Sequence, residues 1–201
     1  MSPATTPPPA SGTRMRADER RVLILDAATD VFGDHGYVGT TTDRVARAAG
    51  VSQPYVVRMF GSKQRLYVEV LERALAELLG AFEAVLEGPE QELAHRMGLA
   101  YARVASERRG LVLSLMHAFV LGSDPVIGEC ARAGFLDVYR FLRERCGFEA
   151  AHAVEFLSGG MLINTLVGLR MVDELDGSAT ARELLETAIP DKLDLLAGQG
   201  A

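Results

Sequence analysis

Residues 42–59 read TDRVARAAGVSQPYVVRM, and the spacing within that stretch decides the fold. Ala46 is small where two short helices must cross, and Gly50, four residues later, can take the positive φ that a tight turn demands. Val45, Ala49, Val51 and Val56 share the inward side of the pair and make a small core. Ser52 is placed to cap the second helix. Pro54 falls in its first turn, where the missing amide hydrogen costs little. These are the steric requirements of a helix-turn-helix.

On the outer side of the second helix this leaves Gln53, Pro54, Val57 and Arg58, with Tyr55 to one side. A glutamine amide can pair two atoms of an adenine edge, an arginine can hold guanine or a phosphate, and Pro and Val offer apolar contact to thymine methyls. Ser62 and Lys63 open a further helix whose free amides and positive dipole end favour a phosphate. A helical hairpin with a solvated polar face is the bland alternative. It does not call for the small residue, the turn glycine, the cap and the basic helix start together.

On either side of the motif apolar residues recur at three and four: Ile24, Ala28, Val31 and Phe32 before it, then Leu66, Val70, Leu71 and Leu75 after it. No alternating strand pattern is present, so the fold class is all-α. Gly36 closes a first helix, Thr41 caps a second that ends at Gly50, Ser52 caps a third and Ser62 a fourth. Beyond Gly88 and Pro89, breaks near Arg109, Gly122–Pro125, Gly147 and Asp176–Ser178 predict helices over 90–107, 110–121, 125–146, 149–174 and 179–197. That makes about nine helices. The opening MSPATTPPPASGT has no apolar period and predicts a disordered tail over residues 1–14. A helix-turn-helix DNA-binding domain then spans 15–62, and a second helical domain spans 63–201.

The net charge of −6 excludes a surface coated all over in nucleic acid, but charge is unevenly placed. Residues 13–70 carry nine Lys or Arg against seven Asp or Glu, and the rest carries twelve against twenty. A mildly basic head on an acidic body suits a local DNA contact. Cys130 and Cys146 fall in one predicted helix about 24 Å apart at 1.5 Å per residue, too far to pair. The four histidines, at 35, 95, 117 and 152, show no close ligand spacing, so neither metal nor cofactor is expected. No G-x-S-x-G elbow, phosphate loop or H-E-x-x-H pair suggests an enzyme. No run of about 18 apolar residues is apparent and no signal peptide opens the chain, so the expectation is a cytoplasmic protein with no membrane partner.

Three stretches, ILDAATDVFGDHGY, TTTDRVARAAGVSQPY and FGSKQRL, resemble the TetR family of regulators over roughly residues 20–70. The resemblance implies DNA contacts by Thr42 and Arg44, a recognition helix opened by Gln53, Pro54 and Tyr55, and a phosphate-binding role for Lys63. Val57 departs from it, standing where the family usually has a tyrosine that holds the DNA backbone. Tyr55 lies about 200° further round the helix and cannot simply replace that contact, which shifts anchoring toward Tyr55 from another angle, Arg58 and Lys63. The resemblance further implies a repressor acting as a homodimer on a palindromic double-stranded operator, its last two helices pairing with their mates. Gly159, Gly160 and Gly168 would allow that close approach, or one within the subunit.

Beyond residue 75 only residue types speak. Tyr101, Met116, His117, Phe119, Phe135, Tyr139, Phe156 and Met161 spread over four predicted helices, where they either line a cavity for a small, mainly apolar effector or simply fill the core. His117 and Asn164 are polar residues inside apolar runs, so each must find a hydrogen-bond partner or a ligand.

Overall fold

The computed structural model describes residues 16–197, so the tail expected over 1–14 lies outside the described residues. Ten α-helices follow one another: α1 (Ala17–Gly39), α2 (Thr42–Ala48), α3 (Gln53–Phe60), α4 (Lys63–Glu83), α5 (Leu93–Glu107), α6 (Arg109–Phe119), α7 (Ile127–Glu144), α8 (Ala150–Gly168), α9 (Ala179–Ala188) and α10 (Leu193–Leu196). Among the described residues there is no strand. Short 3₁₀ turns occupy Glu90–Glu92, Met171–Glu174 and Pro190–Lys192.

The punctuation works largely as its chemistry requires. Gly36 takes φ 64° and breaks the path of α1, Gly50 takes φ 65° in the turn after α2, and the hydroxyls of Thr41 and Ser62 each accept from a backbone amide at 3.1 Å, that of Arg44 and of Arg65. Ser52 departs from expectation: it stands at the N-cap of α3, but its hydroxyl accepts no cap bond. The helix expected over 179–197 is two helices, because Pro190 has no amide hydrogen to continue α9. That expected over 149–174 ends at Gly168, two residues before Arg170 turns left-handed with φ 53°. Cys146 accordingly falls just past the end of α7, and both cysteines are free, half-buried, and held protonated by burial.

Two cores meet along α4. Its first half, Leu66, Tyr67, Val70 and Leu71, closes over Ile24, Phe32, Val45 and Val56 of the first three helices, and Ala118 and Ile127 of the body join them. Its second half, Ala74, Leu78 and Phe82, belongs to the body with Met97, Leu142 and Leu166. The boundary expected between residues 62 and 63 thus falls at the start of a helix that serves both sides. One expectation needs correcting: α8 is long and apolar enough, by length and composition, to cross a membrane, although most of it is not buried in the protomer. Glu155 and His152 interrupt its apolar run.

Candidate functional site

The head is organised by the α2–α3 crossing. Val45 and Val56 are fully buried, Ala46 is nearly so, and the Val51 amide donates to Ala46 O at 2.9 Å across the turn. With Val56 and Phe60 turned inward, α3 presents Pro54, Val57 and Arg58 to solvent and leaves Gln53 and Tyr55 half-exposed. Arg44 is exposed on α2, and Thr42 receives the Gln53 side-chain amide at 3.2 Å, which joins two of the expected DNA contacts before any DNA is present. Tyr55 lies between two guanidinium groups: Arg58 at 5.0 Å and Arg20 of α1 at 5.7 Å from the ring centroid. Arg20 is a candidate contact that sequence reasoning missed, since nothing in the spacing brings the start of α1 to α3.

Lys63 also sits differently from expectation. Its Nζ donates to Tyr37 O at 2.9 Å and to Thr40 O at 3.1 Å, and rests 4.2 Å from the centre of the Tyr37 ring. It braces the exit from α1 toward α2. One of its three N–H donors remains for a phosphate.

Head and body are joined chiefly by α1 against α6. Gly33 and Gly110 let the two backbones touch: a Cβ on Gly33 would stand 2.6 Å from Gly110 Cα. Around that point Ser114 Oγ donates to Thr29 O at 3.1 Å, Tyr67 OH donates to Ser114 O at 2.7 Å, and His117 Nε2 donates to Gly33 O at 3.1 Å. At one edge, Asp26 of α1 meets Arg73 at 2.7 Å and Arg108 at 3.5 Å, while Glu77 receives both arginines. At the other, Gln64 Nε2 donates to Asp124, whose carboxylate caps α7.

The body holds a cavity of about 550 Å³, open on one side, between α4, α5, α6, α7 and α8. Of the residues expected to line it, Tyr101, Phe119, Phe135, Phe156, Met161 and Asn164 do. Met116, His117 and Tyr139 do not. His117 turns to the α1 carbonyl, Met116 packs on Gly168 with its methyl 3.6 Å from where a Cβ would be, and Tyr139 joins the body core. A period of 3.6 places a residue on a helix but leaves open which of two neighbours its face meets. Asn164 is 7% exposed and accepts from the Tyr101 hydroxyl; burial raises the Tyr101 pKa to about 12, with the Asn164 bond opposing, so the phenol stays protonated. Gly160 leaves room against the Tyr101 ring, and Lys192 lies on the wall, neither of which the sequence had suggested. Among the described residues no cluster of three metal-ligating side chains occurs.

Comparison with known proteins agrees with this geometry. Residues 24–70 match the family described as bacterial regulatory proteins, tetR family. The chain is 41% identical over 75 residues to the HTH-type transcriptional activator FasR of Mycolicibacterium smegmatis, covering 37% of this chain and 34% of that protein. It is 37% identical over 78 residues to the HTH-type transcriptional regulator RutR of Escherichia coli K12, covering 38% and 37%. The matched stretch thus spans about a third of these relatives' length. A tetR-family transcriptional regulator from Streptomyces coelicolor superimposes with a TM-score of 0.62 at 23% identity over 92% of this chain and 83% of that one.

Proposed function

We propose that this chain, which belongs through residues 24–70 to the tetR family of bacterial regulatory proteins, represses transcription from a palindromic operator and is released by a small, mainly apolar effector held in the body cavity. The observation that carries the DNA-binding part is the outer face of α3. The buried α2–α3 crossing holds Gln53, Pro54 and Arg58 outward on a rigid element, and Arg44, Thr42 and Arg20 flank them. Continuity supports the release: α6, which walls the cavity, also holds α1 through His117, and Asp124 in the turn before α7 holds the start of α4. An effector that prefers one arrangement of α6 against α1 changes the head position by that preference and no more.

Two heads on one operator require a second copy of the chain, and we assign the α8 and α9 faces to it. A protein acting on bacterial chromosomal DNA works in the cytoplasm, and α8 then spends its apolar face on its mate instead of on lipid. Selection of bound sequences from random double-stranded DNA tests the core of the proposal. Enrichment of an inverted repeat supports it; unselective retention of random DNA overturns it.

A further inference from the structure

Lys192 is one of two lysines in the chain and sits on the cavity wall at the end of the Pro190–Lys192 turn. Its stem packs on Gly98 of α5, so closely that a Cβ there would stand 2.9 Å from Lys192 Cε. One turn further along α5, Tyr101 donates to Asn164, whose own amide nitrogen has, among the described residues, only Met161 Sδ at 3.8 Å. Among the described residues Lys192 has no carboxylate partner, and the adjacent Asp191 faces His95 at 3.8 Å. The cavity's acidic groups, Glu72, Glu129 and Asp137, belong to α4 and α7. Glu72 and Glu129 are exposed to water, and Asp137 is paired with Arg140.

We propose that the effector is an amphiphilic monoanion: a carboxylate on an apolar body, its head on Lys192 Nζ and the Asn164 amide nitrogen, its tail along Leu78, Phe82 and Phe156. This rests on the cavity being the effector site. A half-buried ammonium beside an apolar space is stabilised by a carboxylate more than by any neutral head, because charge-assisted hydrogen bonds are about twice as strong as neutral ones. The carboxylates of α4 and α7, hydrated at Glu72 and Glu129 and already paired at Asp137, offer an amine much less and turn an anionic head away from their end.

Isothermal titration with decanoate, 1-decanol and decylamine, each below its aggregation limit at neutral pH, tests this on the full chain. Wild type should bind decanoate about tenfold tighter than decanol. Lys192→Met, which keeps the apolar stem on Gly98, should bring decanoate down to the level of decanol and leave decanol unchanged, while Lys192→Arg keeps the preference. Gly160→Leu, which fills the cavity beside Tyr101, should weaken both. Equal or tighter binding of decanol or decylamine by wild type, or a preference surviving in Lys192→Met, overturns the head-group assignment. The cavity reading then still stands if Gly160→Leu abolishes binding. No binding of any of the three overturns both.

Discussion

Lys63 stands in the first turn of α4, where the helix dipole opposes a cation, and the structure shows what compensates: the carbonyls of Tyr37 and Thr40 and the face of the Tyr37 ring. That conflict was visible in the sequence and would have pointed to a local role for the lysine beside the phosphate contact expected of it. Lys63→Met should therefore act twice. It should lower stability by about 1.5–3 kcal/mol, the scale of a lost charged hydrogen bond. It should also weaken operator and random DNA alike, reducing the salt slope by about 0.9 per subunit if the third donor reaches a phosphate. Gln53→Ala should instead cost about 1–3 kcal/mol on the operator and relax choice at one base pair per half-site, with little change in the salt slope. Binding of both variants to operator and scrambled DNA across a salt series, with a melting curve for each, separates the roles; a Gln53 variant that changes only the salt slope contradicts the assignment. Other residues could be placed on a helix but not paired. His117 and Asn164 each needed a partner by the physics of buried polar groups, yet only the packing says that one meets the head and the other the cavity.

The helices themselves were legible because caps, turn glycines and a 3.6 period act within a few residues of one another. Closures that depend on distant chain were not. Gly33 lies in the middle of α1, where a glycine costs about 1 kcal/mol of helix propensity, and nothing nearby in sequence explains it. Its reason is Gly110, some eighty residues on, and the backbone contact their missing side chains permit. Gly33→Ala restores the propensity but pushes a methyl against backbone, which no rotamer can relieve. Overpacking of this kind costs about 1–3 kcal/mol, so a melting temperature lowered by several degrees is expected despite the better helix former. The same change should loosen α1 from α6 and reduce how far an effector shifts operator affinity. Thermal unfolding and operator titrations with and without decanoate check both parts; unchanged stability would mean that the two helices have room to separate. The α8 helix failed differently at this scale: one helix was expected over residues 149–174 with its glycines allowing a close approach, while the apolar length of Ala150–Gly168 was overlooked because Glu155 and His152 interrupt it.

At the scale of the whole molecule, the unexplained quantity is exposed apolar surface on α8 and α9. Val154, Leu162 and Leu169 lie eight and seven residues apart, a stripe down one side of α8 that reaches the residue just past its end, with exposures from 40% to 63%, and Leu184 of α9 is exposed as well. A stripe of this kind left in water costs about 25 cal/mol per Å², and a two-fold mate offers the same stripe in return. The mate also answers a need of the head, since one helix-turn-helix touches too few bases for tight specific binding. Leu162→Glu places a charge in the centre of the stripe, twice per dimer, while its 40% exposure leaves the protomer's own core untouched. Sedimentation at micromolar concentration should show wild type as a dimer and Leu162→Glu as a folded monomer with an unaltered helical spectrum. Because two linked heads gain on the order of 10²–10⁴ in avidity, the variant should lose at least about a hundredfold on a full operator and little on a single half-site. If Leu162→Glu stays dimeric, or if wild type is a monomer that protects a site without inverted symmetry, the stripe has another partner and the two-headed reading of the operator falls with it.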